Sequence, residues 1–175
     1  GYTLRALPND ADTVAPNSWG QYLSDDVGLV LITHVHSNTG LQVPVTDICA
    51  LAAERDIVTV VDIAQSVGVV PIDLKTWGAD FVIGSCVKWL CGGPGAGFLW
   101  VRPDRLSECQ PTDVGWFSHE DPFEFDMHNF RYAKDALRFW GGTPSVQPYV
   151  TAANSIELLH GIGMDNLRQH NLDLT

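Results

Sequence analysis

The chain opens on mixed residues and then alternates apolar runs with polar breaks. Residues 1–26 hold Pro8, Pro16 and several Asn/Asp turn signals, and predict a short strand and a loop leading into a helix around residues 19–23. Gly28-Leu29-Val30-Leu31-Ile32-Thr33 is a continuous apolar run, the pattern of a strand buried on both faces. A polar loop over 34–40 follows. Pro44 then opens a helix through Glu54, with Thr46 and Asp47 in its first turn and Ile48, Leu51 and Ala52 on one face. Ile57-Val58-Thr59-Val60-Val61 is a second buried strand, with Asp62 at its end. Strand, helix and strand in this order predict a βαβ unit with parallel strands.

Residues 73–78 predict a short helix or turn, and Asp80-Phe81-Val82-Ile83-Gly84 a third strand. After Ser85-Cys86-Val87-Lys88 comes a glycine-rich turn, Gly92 to Gly97, and then a fourth strand, Phe98-Leu99-Trp100-Val101. The turn is short enough for the fourth strand to run antiparallel to the third. Residues 103–135 are loop-rich, with Pro103, Pro111 and Pro122, and a loop of that length usually carries function. Residues 145–161 predict a helix with Val146, Val150, Ala153, Ile156 and Leu159 as its apolar positions. A second helix over 164–174 runs to the terminus without a stop signal. The fold class expected is α/β, a mostly parallel sheet with flanking helices.

The 175 residues carry a net charge of −11, with ten scattered basic residues and no Lys/Arg cluster. That balance argues against nucleic acid and anionic membrane as partners. No apolar run reaches the roughly 18 residues that span a bilayer, and the first residues show no signal-peptide pattern. Cys49, Cys86, Cys91 and Cys109 lack C-x-x-C spacing and are expected as buried, reduced thiols of a cytoplasmic protein.

In open α/β sheets ligands bind beyond the carboxyl ends of the strands. Three polar clusters fall there: Thr33 to Thr39, Asp62-Ile63-Ala64-Gln65, and Ser85-Cys86-Val87-Lys88. Asp62 directly after an apolar strand needs a cationic partner. A protonated pyridine nitrogen is one such partner, and a plain ion pair with Lys88 is the other. Lys88, between Val87 and Trp89, is expected to be desolvated and so able to attack an aldehyde. The glycine turn is no phosphate loop, because Lys88 precedes the glycines instead of following them; it lets the backbone turn tightly, away from the site. His34-Val35-His36 matches the start of a zinc motif, but Ser37-Asn38-Thr39 does not continue it, and no metal is expected. His119 is placed to reach a substrate. His128, His160 and His170 read as surface residues, Glu120, Asp121, Glu124 and Asp126 as a solvated loop face, and Trp77, Trp89, Trp100 and Trp140 as core.

The stretch Val61-Asp62-Ile63-Ala64-Gln65-Ser66, followed by Gly78-Ala79-Asp80-Phe81, then Ser85-Cys86-Val87-Lys88-Trp89-Leu90 and Gly92-Gly93-Pro94-Gly95, resembles the class V aminotransferase superfamily of fold-type I pyridoxal-phosphate (PLP) enzymes. Val114-Gly115-Trp116-Phe117-Ser118-His119, with Phe139 and Gly142-Thr143-Pro144, is similar to the kynureninase branch. The resemblance implies PLP as cofactor, an L-amino acid as substrate and a homodimer. It implies Lys88 as the Schiff-base lysine and Asp62 as the carboxylate at the pyridine nitrogen. Gln65 would lie near the ring oxygen, Thr33 in the cofactor pocket, Ser85 and Trp116 at the phosphate, and Thr143 at the partner subunit's cofactor. Val87 stands where kynureninases have Tyr and desulfurases His, and Gln65 where kynureninases have His and desulfurases Gln. The implied activity is hydrolytic cleavage of kynurenine to anthranilate and alanine. A class V aminotransferase, a cysteine desulfurase-like enzyme and a non-catalytic truncated PLP-fold domain are the alternatives. The resemblance further implies residues 1–144 as the core of the PLP-binding large domain. Residues 145–175 would be helices leading toward a small domain, with family segments expected before residue 1 and after residue 175.

Overall fold

A computed structural model describes residues 1–126 and 128–175. Its centre is a four-stranded sheet in the order β1-β2-β3-β4, with β1 Leu29–Thr33, β2 Val58–Asp62, β3 Phe81–Ser85 and β4 Gly97–Val101. The first three strands are parallel and β4 is antiparallel to β3. The reversal follows from the glycine turn, which has no room for a crossover helix.

Between β1 and β2 the chain crosses through helix α2, Val45–Ala53, after the short helix α1, Pro16–Trp19. Val45, Ile48, Cys49 and Ala52 are the buried residues of α2. Their spacing is the stripe that faces one side of a 3.6-residue helix. Helix α3, Leu74–Trp77, connects β2 to β3 and is capped by Asp73, whose carboxylate accepts the Lys75 amide at 2.9 Å. These helices cover one sheet face, packing Trp19, Ile48 and Trp77 against Ile32, Val61 and Val82. Each fully buried aliphatic side chain there contributes about 1.5–3 kcal/mol.

The other face differs from the sequence expectation. Leu29 and Leu31 are 55% and 58% exposed, so β1 is covered on one face only. The predicted opening strand is also absent, and the helix near residue 19 ends at Trp19 instead of beginning there.

Helices α4, Val146–Ile162, and α5, Met164–Asp173, close the chain. Ala152 is the buried residue of α4, while Val146, Val150 and Ile156 are exposed. Ala152 packs with Cys86, Leu90 and Ala96 in a second small core beneath the glycine turn. A small residue lets α4 approach the Gly92 backbone closely, which the larger apolar side chains would prevent. Among the described residues no helix is long and apolar enough to cross a membrane.

Candidate active site

Strand register brings three of the expected residues to one place. Thr33 pairs with Asp62, and Asp62 with Ile83. Paired residues point to the same side of a sheet, as do residues two apart on one strand. Thr33, Asp62, Ile83 and Ser85 therefore share the face that α1 to α3 leave open. The His34 amide donates to the Asp62 carbonyl at 3.0 Å, and the Ile63 amide to the Ile83 carbonyl at 2.9 Å. These bonds carry the sheet pairing past the strand tips.

Asp62 is half-buried, and its Oδ1 accepts the Ala64 amide at 2.8 Å. Its other oxygen has no partner among the described residues. Gln65 is half-buried in the same turn. Lys88 lies on the loop beyond β3, and among the described residues neither Lys88 nor Asp62 forms an ion pair. The plain Asp62–Lys88 salt bridge is thus not formed.

The desolvation expected of Lys88 is not found within this chain. Lys88 is exposed, with Val87 47% and Trp89 51% exposed beside it. Apolar neighbours in sequence do not bury a side chain on a loop whose flanks point outward, and Trp89 is therefore not core either. The loop backbone is nonetheless fixed. The Cys91 amide donates to the Lys88 carbonyl (2.9 Å), the Gly92 amide to the Cys86 carbonyl (2.7 Å) and the Ser155 hydroxyl of α4 to the Leu90 carbonyl (2.7 Å). Hence the glycine turn folds back onto the Lys88 loop instead of leading away from it. From the other side Gly68, with φ +96°, lies so near the Trp89 carbonyl that a β-carbon would stand 2.8 Å from its oxygen.

Trp116 and Thr143 form a separate group. Trp116 opens a 3-10 turn through Ser118. Buried Ser118 accepts the Gly115 amide (3.0 Å) and donates to the Trp140 carbonyl (2.8 Å), while Gly115 packs against the Gly141 carbonyl with no space for a side chain. The result is a pocket of about 250 Å³ lined by Trp116, Gly141, Gly142 and Thr143. Trp116 also borders a larger cavity of about 540 Å³ with Val114, Phe125 and Phe130. Neither holds Thr33, Asp62, Gln65, Ser85 or Lys88.

His119 lines the larger cavity beside Trp116. It is 7% exposed, with Nδ1 2.7 Å from the Asp121 carbonyl oxygen and 2.9 Å from the Asp121 amide nitrogen, and Nε2 3.4 Å from the Asn129 carbonyl oxygen. Its ring is spent on holding the loop. Glu120 and Glu124 are tied to Arg131, and Glu120 also to Lys134.

Sequence reasoning missed three connections. His34 is buried, with Nδ1 2.8 Å from the Ser66 hydroxyl and its ring edge-on to Trp77 at 4.8 Å. Burial pushes its imidazole pKa down and keeps it neutral. Secondly, Asp80 is a buried clamp at the far end of the sheet. Its carboxylate accepts the Thr59 amide (2.8 Å) and hydroxyl (3.0 Å), and pairs with Arg102 (3.0 Å) and Arg105 (2.8 Å). Burial alone would raise its pKa, but the Thr59 and arginine contacts outweigh it and hold the carboxyl below its usual range. Thirdly, the four free thiols are not alike. Cys49 and Cys86 are buried, and burial pushes the Cys49 thiol up to about 11, while Cys91 is exposed.

Comparison with known proteins places these features in a wider set. The family model described as aminotransferase class-V matches residues 1–175. A kynureninase of Deinococcus radiodurans is 38% identical over 98% of this chain and 40% of its own length. An uncharacterized aminotransferase of Bacillus subtilis, YcbU, is 32% identical over 97% of this chain and 44% of its own. Among solved structures, a mutant of the C-DES cystine C-S lyase with glycine covalently linked to its PLP cofactor superposes with a TM-score of 0.77. It is 25% identical, over 89% of this chain and 41% of that one. The chain thus spans less than half the length of these relatives.

Proposed function

We propose, from the premise that this chain belongs to the aminotransferase class-V family, that it is the cofactor-gripping core of a PLP-dependent enzyme acting on an L-amino acid in the manner of a kynureninase. The observation that carries the cofactor reading is Asp62. Among the described residues a half-buried carboxylate has one oxygen engaged and the other unpartnered, while Lys88 forms no ion pair, an arrangement that a cationic ring nitrogen would complete. PLP, when bound, supplies the electron sink for carbanion chemistry at the amino acid's α-carbon.

In this reading Asp62 would keep the proton on the pyridine nitrogen. The Lys88 amine would hold the cofactor's aldehyde carbon and, when free, would move the substrate's α-proton. Gln65 would contact the ring oxygen, Thr33 would line the pocket, and Ser85 would serve the phosphate. Trp116 and Thr143 line one pocket apart from the strand tips, which supports assigning both to the cofactor of a partner subunit in a homodimer. Partner residues would then also supply the desolvation that Lys88 lacks here. The kynureninase relative at 38% identity favours hydrolysis of kynurenine to anthranilate and alanine. A cytoplasmic location, and residues 145–175 as the passage toward a small domain after a core over 1–144, belong to the same proposal.

Gln65 and Val87 favour a second reading, an aminotransferase or a desulfurase-like enzyme, since both depart from the kynureninase pattern. Borohydride reduction of the PLP-saturated full-length protein, followed by peptide mass mapping, tests the cofactor reading. A pyridoxyl group on Lys88 is expected, and an unmodified Lys88 overturns it in favour of a non-catalytic domain. Incubation with kynurenine, alanine or cysteine, each with and without a keto acid, separates the activities. Anthranilate released without a keto acid supports hydrolysis. Keto-acid-dependent amino transfer or sulfide release from cysteine replaces it.

A further inference from the structure

We infer that His34 and Ser66 are positioning residues that set the carboxylate of Asp62. The inference rests on the reading of Asp62 as the partner of the PLP ring nitrogen.

The turn after β2 carries Asp62 at its start and Gln65 near its end. Its local bonds are the Ala64 amide to Asp62 Oδ1 at 2.8 Å, and the Ser66 and Val67 amides to the Ile63 carbonyl, each at 2.9 Å. Such bonds fix the turn's shape but not its attitude to the sheet. That is set from the neighbouring strand. The His34 amide holds the Asp62 carbonyl, and the His34 ring reaches Ser66 Oγ at 2.8 Å. Ser66 Oγ in turn donates to the Ile63 carbonyl at 3.2 Å. With the hydroxyl proton on Ile63, the ring supplies the proton of the His34–Ser66 bond from Nδ1. One residue of β1's extension therefore holds both ends of the turn.

The brace is anchored in the core. His34 is 3% exposed, Ser66 is 0% exposed, and the ring abuts Trp77. A histidine serving only the core would need one satisfied ring nitrogen anywhere. This one is spent on the turn that presents the acid.

Ser66→Ala in the full-length protein removes the hydroxyl with little change of volume. Without cofactor, amide hydrogen exchange at Ala64 is expected to rise about tenfold, while Val60 and Val61 in β2 keep their protection. PLP affinity is expected to fall about tenfold. Affinity for 1-deaza-PLP, in which C–H replaces the ring nitrogen, is expected to stay unchanged. His34→Asn, whose side-chain amide stands near the position of Nδ1, is expected to retain most of the Ala64 protection and of the preference for PLP. His34→Phe, which keeps the aromatic edge on Trp77, is expected to lose both.

Equal losses for the two ligands, unchanged exchange at Ala64, or a uniform rise through β2 would each overturn the inference. Wild-type protein that binds PLP no better than its deaza analogue would instead overturn the assignment of Asp62, whatever the exchange at Ala64 shows. In that case the functional half of this inference falls with it.

Discussion

Gly68 and Trp89 are in backbone contact, and that contact joins the turn carrying Asp62 to the loop carrying Lys88. A β-carbon at residue 68 would meet the Trp89 carbonyl carbon at 2.9 Å as well as its oxygen, in a backbone conformation that L residues rarely adopt. Gly68→Ala is expected to cost about 2–3 kcal/mol of stability. It is also expected to slow PLP attachment at Lys88, because the loop must move to make room. Urea unfolding and the rate of borohydride-trapped labelling measure the two effects. A variant with wild-type values in both would show that the two segments move independently.

The Asp80 clamp predicts a pH dependence of stability. Its carboxyl is held below the ordinary value in the folded protein, so its contribution is complete above the unfolded value near 4. The contribution fades as pH falls through the lower folded value. Asp80→Asn leaves two arginines facing a neutral group and is expected to destabilise by about 3 kcal/mol at neutral pH. The gap between variant and wild type should narrow as the pH drops below about 4. Denaturant unfolding across pH checks this; a gap constant with pH would mean that the carboxyl's charge contributes nothing.

Subunit mixing tests the placement of Thr143. If Lys88→Ala and Thr143→Ala each abolish turnover, and Thr143 serves the neighbouring site, a one-to-one mixed population regains one intact site in each mixed dimer. Activity should then return to about a quarter of wild type by random pairing. No recovery after confirmed subunit exchange would place Thr143 in the same site as its own Lys88.

Ser118 joins the Trp116 turn to the Trp140 segment through two bonds of one buried hydroxyl. Ser118→Ala is expected to lose about 1–3 kcal/mol. It should also loosen the Trp116–Thr143 pocket, seen as a larger loss of affinity for PLP than for pyridoxal without its phosphate. Equal weakening for both would detach this pocket from the phosphate.

Much of the sheet was legible because its strands are short apolar runs ending in polar residues. The antiparallel fourth strand followed from turn length alone. The open face of β1 was not legible, since a continuous apolar run looks the same whether one face or both are covered. Thr33, Asp62 and Ser85 share one face by register because parallel strands carry their tips to one side, whereas Lys88, in the same polar cluster as Ser85, lies exposed on the loop beyond β3. Lys88's exposure was misjudged, because flanking Val87 and Trp89 report hydrophobicity, not the direction of a loop. Likewise the apolar residues of α4 suggested a broad buried stripe, whereas contact is made through Ala152 on Gly92. The His34–Ser66 bond and the Trp116–Thr143 pocket depend on tertiary approach, for which no local spacing exists.

The unequal burial of the thiols has a practical consequence. Cys91 stands in the open, its amide bonded to the Lys88 carbonyl, whereas Cys49 is sealed on the inner face of α2. A fluorophore carried by a maleimide would react with Cys91 well before Cys49. Tethered one turn of chain from the proposed reactive amine, the dye would become an optical gauge of whether that amine is occupied.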